Sequence, residues 1–100
     1  RIDNTEVQFY FSLGISYLQT KAYEKSIETF QNALLVDPNF VDAQYHICVN
    51  YMEMNQYNKC IEEGKKLIVQ HPEYANAYLI IATAYQQLGD YQKAKKSLRS

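Results

Sequence analysis

Two cysteines and two histidines are the residues of this chain that could ligate a metal ion or act as a nucleophile and its base. His46 and Cys48 stand two positions apart, and on a helix this spacing turns the two side chains about 200° from each other, so they cannot ligate one metal together. No base is expected near either thiol. Glu62 and Glu63 are adjacent, and their carboxylates point about 100° apart on a helix. We therefore expect no metal, no cofactor and no catalytic residue.

Composition excludes several other kinds of function. A length of 100 residues is that of one small domain. The formal net charge of -1 lacks the electrostatic footprint of a protein that binds nucleic acid or an anionic membrane. No apolar stretch is long enough to predict membrane insertion. With only three Gly and two Pro to interrupt regular structure, the chain is expected to be helical.

The sequence repeats with a period of 34 residues. Offsetting the chain by this period aligns residues 7–40, 41–74 and 75–100, the last of which is incomplete. Apolar residues recur within each unit at steps of three and four, the period of an amphipathic helix. Residues that coincide include Tyr17, Tyr51 and Tyr85, then Tyr23, Tyr57 and Tyr91, then Pro38 and Pro72. We interpret the tyrosines as packing residues rather than as platforms for nucleic-acid bases.

Each unit is predicted to contain two antiparallel helices joined by a short turn. The turns are placed at Thr20-Lys21-Ala22, at Asn55-Gln56 and at Gly89-Asp90, where Gly favours the end of a helix. Proline at 38 and 72 ends the second helix of each complete unit. The prediction is an all-α solenoid of six helices in one domain spanning residues 1–100. These helices are expected near residues 6–19, 23–36, 40–53, 57–70, 74–87 and 91–99.

The first unit closely resembles the tetratricopeptide repeat family. The residues that carry this resemblance are Tyr10, Leu13-Gly14, Tyr17, Tyr23, Ser26, Phe30, Ala33 and Asp37-Pro38-Asn39. The second unit departs more from the family pattern, with Gln44, Cys48, Cys60, Gly64 and Leu67. The resemblance covers residues 7–100 and implies a right-handed superhelix whose first helices line a concave groove that binds another polypeptide.

The resemblance also implies small residues where the two helices of a unit cross. One column holds Gly14, Cys48 and Ala82, and it is expected to face a second column that holds Ser26, Cys60 and Ala94. A large side chain would overpack this contact. Cys48 and Cys60 are thus expected to face each other within the second unit, either as buried free thiols, which slightly favour a cytoplasmic location, or as a disulfide. Gly64 stands where the first unit has Phe30, so we expect looser packing in the second unit.

Residues of the implied groove can be assigned column by column. They are Gln8, Phe11, Ser12 and Ile15 in the first unit, Asp42, Tyr45, His46 and Val49 in the second, and Asn76, Leu79, Ile80 and Thr83 in the third. Further along the same helices the groove columns hold Leu18, Gln19, Met52, Glu53, Gln86 and Gln87. This apolar lining predicts a protein partner that presents an extended peptide or an amphipathic helix.

Two observations limit that interpretation. One branch of the family grips the carboxylate end of chaperone tails with Lys, Asn and Arg, whereas the same columns here hold Phe11, Ile15, His46, Asn76 and Ile80, so that activity is not expected. Aromatic residues at 11 and 45 are also compatible with packing between units alone. The alternative function is self-association through the third unit, which stops inside its second helix and leaves apolar surface to be covered.

Overall fold

Five α-helices make up residues 4–99, the part of the chain whose backbone the computed structural model describes; side chains are described for residues 5–89. The second and fourth helices have the predicted bounds, the first begins two residues earlier and the third one residue later. Within the described residues no helix is long and apolar enough to cross a membrane. The helices are α1 (Asn4–Gln19), α2 (Tyr23–Val36), α3 (Val41–Glu53), α4 (Tyr57–Gln70) and α5 (Ala75–Arg99).

The first two units turn through the same backbone conformation. Lys21 has φ 65° and Asn55 has φ 62°, both in the left-handed region. After each of them the chain closes a bond back to the preceding helix, from Ala22 N to Tyr17 O at 2.8 Å and from Gln56 N to Tyr51 O at 2.9 Å. This is the Schellman arrangement, in which a left-handed residue lets the last carbonyls of a helix find donors.

The predicted turn at Gly89-Asp90 is wrong, and so is the count of six helices. Gly89 occupies the column of Lys21 and Asn55, but its φ is not positive and the helix α5 runs unbroken from Ala75 to Arg99. A glycine permits a left-handed turn without requiring one. The side chains of residues 90–99, which include Ala94 of the small column, lie outside the described residues.

The contact between α1 and α2 confirms the predicted crossing of small residues. The Ser26 hydroxyl donates a hydrogen bond of 2.8 Å to the carbonyl of Gly14, and the Phe30 ring lies directly over Gly14. Ser26 and Phe30 are fully buried. The two helices approach closely enough for a side chain on one to reach the backbone of the other.

Gly64 does not loosen the second unit, contrary to the sequence-based expectation. A Cβ built on Gly64 would stand 2.6 Å from Cγ1 of Ile81, a residue of α5. The side chain of the next helix therefore fills the space that Phe30 fills in the first unit. Packing is preserved because the large side chain at this contact comes from α5 instead of α4.

Two buried clusters hold the units together. The first surrounds Phe30, Ala33, Ala43 and Ile47 and lies between the first and second units. The second lies between α3, α4 and α5 and includes both cysteines, which are free and fully buried. Each cluster draws on three helices, so every unit depends on its neighbour for its core. The buried members of the second cluster are Cys48, Cys60, Ile61, Ile80 and Ala84.

Candidate binding groove

A row of aromatic rings connects α1 with α3 at the predicted groove. The ring of Phe11 meets the ring of His46 edge-on at a centroid distance of 5.3 Å, and Tyr45 meets His46 edge-on at 5.2 Å. Edge-to-face geometry is favourable because the positive rim of one ring meets the negative face of the other. The structure thus brings together three predicted groove residues from two successive units.

Sequence reasoning missed two aromatic residues beside this row. Phe40 lies 5.2 Å from Phe11, and Tyr74 lies 5.8 Å from Tyr45, in both cases between ring centroids. These two contacts are one repeat apart. The residues at 40 and 74 precede the first helices and therefore fall outside the columns assigned to the groove. Both residues are aromatic and occupy the same position of the repeat, and this pattern in the sequence could have identified them.

His46 is held in a defined orientation by its own helix. Its Nδ1 lies 2.8 Å from the carbonyl oxygen of Asp42, one turn earlier. A carbonyl can only accept, so Nδ1 carries the hydrogen that is donated in this contact. The Phe30 ring lies 5.6 Å from His46 on the core side. His46 therefore connects the buried cluster of the first two units with the aromatic row.

The carboxylate of Asp42 is held by the last residue of its own unit. The Tyr74 hydroxyl donates a hydrogen bond of 3.1 Å to Oδ1 of Asp42. Burial is the main cause that raises the pKa of Tyr74, and the nearby carboxylate raises it further. Burial also raises the pKa of Tyr45. Both hydroxyls consequently stay protonated at neutral pH, and Tyr74 remains a donor.

The remaining predicted groove residues differ in how much surface they offer. Ile80 is only 8% exposed and belongs to the core cluster of α3, α4 and α5, whereas Leu79 is 64% exposed. In the third unit Leu79 is therefore the accessible apolar side chain of that pair. Phe11, Ile15, Tyr45, His46 and Val49 are half-buried, and Gln8, Ser12, Asp42, Asn76 and Thr83 are exposed.

The ionic character of the predicted groove comes from carboxylates. Among its assigned residues the charged side chains are Asp42 and Glu53, and none is Lys or Arg. Both carboxylates are exposed. A segment rich in acidic residues would meet like charge there without a compensating cation.

The described residues contain no group of three or more His, Cys, Asp or Glu placed to hold a metal ion. Burial raises the pKa of Cys48 to about 12, with the nearby Cys60 as a lesser cause, and burial raises the pKa of Cys60 to about 11. Thiols in this state are poor nucleophiles at neutral pH.

Two cavities lie at the turns within units and repeat with the same period. One, of about 380 Å³, is bordered by residues 21–25 and Met54. The other, of about 790 Å³, is bordered by residues 55–59 and by Gln87 and Leu88. Each is formed where the next unit packs beside a turn, so we attribute both to repeat stacking rather than to a separate chemical site.

Comparison with protein families gives a consistent result. Tetratricopeptide repeat profiles match residues 7–40 and 75–100, which together are more than half of the chain. A sequence comparison with curated proteins finds no match.

Solved structures with the same arrangement of helices share modest sequence identity with this chain. The first repeat domain of Spaghetti (RPAP3), bound to the HSP90 peptide SRMEEVD, superposes with a TM-score of 0.80 at 17% identity, over 95% of this chain and 77% of that one. The Sgt2 domain from Aspergillus fumigatus gives 0.77 at 25% identity, over 91% and 60%. MamA gives 0.75 at 28% identity, over 97% of this chain and 53% of MamA, so the chain spans about half of that protein.

Proposed function

The chain belongs to the tetratricopeptide repeat family, and from this membership we propose that it is a scaffold or adaptor module that binds a peptide segment or an amphipathic helix of another protein. The observation that supports this proposal best is the aromatic row of Phe11, His46 and Tyr45 on successive first helices. Such rings offer apolar contact area with little entropy to lose on binding. The proposed domain spans residues 1–100, winds as a right-handed superhelix and has no catalytic activity.

We further propose that the bound segment carries apolar anchors and neutral or basic flanks. The half-buried rings and the exposed Leu79 supply apolar surface, and Asp42 and Glu53 supply negative charge. The Spaghetti (RPAP3) domain is bound to an acidic peptide ending in EEVD. A peptide of that kind would be disfavoured here because the groove columns contain no Lys or Arg.

The test begins with a displayed library of random peptides selected on the intact chain. Selected peptides are then measured by fluorescence anisotropy against the chain and two variants, Leu79→Ala and Leu35→Ala. Both leucines are exposed, at 64% and 81%, but only Leu79 lies in the predicted groove. We expect Leu79→Ala to weaken binding by roughly tenfold, as the loss of a buried leucyl side chain implies.

Leu35→Ala is expected to leave the affinity unchanged. Equal losses in both leucine variants, or enrichment of acidic peptides without apolar anchors, would contradict the proposed groove. Tyr45→Ala provides a second measurement, read together with circular dichroism. A weaker affinity with unchanged helicity supports a binding role, whereas a loss of helicity assigns Tyr45 to the packing between units.

A second candidate function is self-association through the third unit. Tyr78 and Tyr85 of α5 are 46% and 49% exposed, whereas Tyr17 and Tyr51, at the column of Tyr85, are half-buried in their units. The mass in solution, followed by light scattering over a hundredfold range of concentration, tests this candidate. A mass that stays at 11.7 kDa contradicts it, and a mass that rises with concentration supports it.

A further inference from the structure

One side of α5 carries a strip of exposed surface, here called the open face. It consists of Tyr78, Ala82, Tyr85 and Gly89, whose spacing of four, three and four residues places them on one side of a helix. The first three are exposed. A Cβ built on Gly89 would have nothing within 4 Å.

The same face is covered in the first two units. Gly14 and Cys48 occupy the column of Ala82, and both are buried. Gly14 lies under Phe30 and accepts a hydrogen bond from Ser26, both on the second helix of its own unit. The open face is thus the third member of an interface between first and second helices that the structure forms twice. Continuity along the array indicates that its occupant is a second helix of the same kind.

The sequence contains such a helix, but α5 carries it away from the open face. Residues 91–99 align with α2 and α4, and Ala94 shares the column of Ser26 and Cys60. The backbone over Ala75–Arg99 is one helix, about 37 Å long at the usual rise per residue. A straight helix cannot fold back on itself. While α5 is straight, residues 91–99 can cover an open face only on another molecule.

We propose that two copies of this chain pair their α5 helices antiparallel and exchange residues 91–99, so that each covers the other's open face. This inference rests on the second candidate function, self-association, and specifies its geometry. In the first unit Gly14 meets Ser26. One register of the exchanged pair reproduces that contact by placing Ala82 opposite Ala94 of the second copy. The midpoint of this register is Leu88, so the two-fold axis passes beside Leu88 and Gly89.

Gly89 suits this crossing point for two reasons. Two helices that cross need small residues at the closest approach, and the space around Gly89 is open. Gly89 also stands in the column where Lys21 and Asn55 are left-handed. The same residue can therefore close a hairpin in one molecule or continue the helix into an exchanged pair. Exchange of an identical element between copies creates a dimer from contacts that already exist within the units.

Disulfide trapping distinguishes the exchanged pair from its alternatives. The chain carrying both Ala82→Cys and Ala94→Cys is equilibrated in a glutathione redox buffer and resolved without reductant, beside the unchanged chain and each single variant. Helices that approach as α1 and α2 do bring such a pair within bonding distance. Ala82 is exposed, so the substitution there removes no packing. Cys48 and Cys60 are fully buried, and the unchanged chain shows how much disulfide these two native cysteines form on their own.

We expect the double variant to form a covalent dimer that reductant returns to monomer, with no such dimer in the three controls. A covalent monomer would show that residues 91–99 fold back at Gly89, and it overturns the exchange. Absence of the disulfide together with a mass that rises with concentration would mean self-association through another surface, which overturns the exchange but not the second candidate function. Absence of the disulfide with a constant mass would overturn both.

Gly89→Ala and Ala82→Glu provide an independent pair of variants. Alanine favours the straight helix over the left-handed turn by roughly fivefold per chain, the factor to which the difference in helix propensity corresponds. We therefore expect Gly89→Ala to raise the dimer fraction at a given concentration. Ala82→Glu places a large charged side chain on the open face and is expected to leave a monomer with unchanged helicity. A dimer fraction that falls in Gly89→Ala, or persists in Ala82→Glu, would overturn the proposal.

Discussion

The ring of Phe30 lies 2.6 Å from the point that a Cβ on Gly14 would occupy. Phe30 is fully buried and belongs to the cluster between the first and second units, so a shift of its ring would disturb that cluster. We expect Gly14→Ala to lower the free energy of unfolding by up to about 2 kcal/mol, the cost of overpacking less the gain in helix propensity. Urea unfolding followed by circular dichroism measures the change.

Gly89→Ala is the matched control for that experiment. It makes the same substitution inside a helix where a Cβ has nothing within 4 Å, so we expect unchanged or increased stability at a fixed low concentration. An equal loss in both variants would show that the close approach of Phe30 is not the cause.

A second prediction concerns the buried hydrogen bonds around Ser26. Its hydroxyl donates to Gly14 O at 2.8 Å and accepts from Nδ2 of Asn50 at 3.0 Å. Ser26→Ala removes both interactions in a site that water does not reach. We expect a loss of about 1–3 kcal/mol in the free energy of unfolding, the usual cost of a buried polar group left unsatisfied. Ser16→Ala, at an exposed position of α1, should change stability by less than about 0.5 kcal/mol.

Lys21 is expected to be a site where stability can be gained. Its φ of 65° places a side chain in the left-handed region, which costs an L-residue roughly 1–2 kcal/mol relative to glycine. Lys21→Gly should therefore raise the midpoint of thermal unfolding, although the added freedom of the unfolded chain offsets part of the gain. Asn55→Gly should give a smaller increase because Asn tolerates this conformation better. A decrease in both variants would contradict the assignment of strain to the turn.

The two thiols should resist chemical modification in the folded chain. With pKa values of about 12 for Cys48 and about 11 for Cys60, only about one molecule in ten thousand and one in a thousand carries the thiolate at pH 8. Ellman's reagent should react slowly with the native chain and rapidly in urea. Fast reaction of either thiol without denaturant would show that the second cluster opens readily.

The same thiols make stability sensitive to alkali. Their pKa values in the folded chain lie above the ordinary value of 9.0, so the folded state holds its protons more tightly than the unfolded state. The stabilisation is complete below pH 9 and is lost as the pH rises through the folded-state values. We expect the urea midpoint to fall between about pH 9 and pH 12, and to fall less in a chain with Cys48→Ala and Cys60→Ala. If the urea midpoint falls equally in the two chains, the loss of stability comes from tyrosines such as Tyr45.

Local sequence signals predicted most of the fold. The bounds of α2 and α4 followed from apolar spacing and from the prolines at 38 and 72, because these signals act on neighbouring residues. The straight course of α5 did not follow from Gly89, since a flexible residue allows two backbone paths and only tertiary contacts select one. Gly64 was misjudged for a related reason. The compensating side chain, Ile81, belongs to another unit and lies 17 positions away.

The sequence predicted the candidate groove residues as a set of columns, but it did not predict how much of each side chain is exposed. The resemblance to the family implied Phe11 and Tyr45 as groove residues, and the structure places both in one aromatic row with His46. It did not show that Ile80 is buried while Leu79 is exposed. These neighbours differ because the path of α5 against α3 and α4 decides which of them faces the core.

The bond between Ser26 and Asn50 also restricts how the array could have been assembled. One repeat later the corresponding residues are Cys60 and Ala84, which lie together in an apolar cluster. The boundary between the first and second units thus contains a polar pair beside its apolar cluster, whereas the same position of the next boundary is apolar. A second unit placed after a copy of itself would set the amide of Asn50 against the thiol of Cys60. The residues at the two junctions therefore determine which unit can follow which, a restriction that a simple tandem duplication would lack.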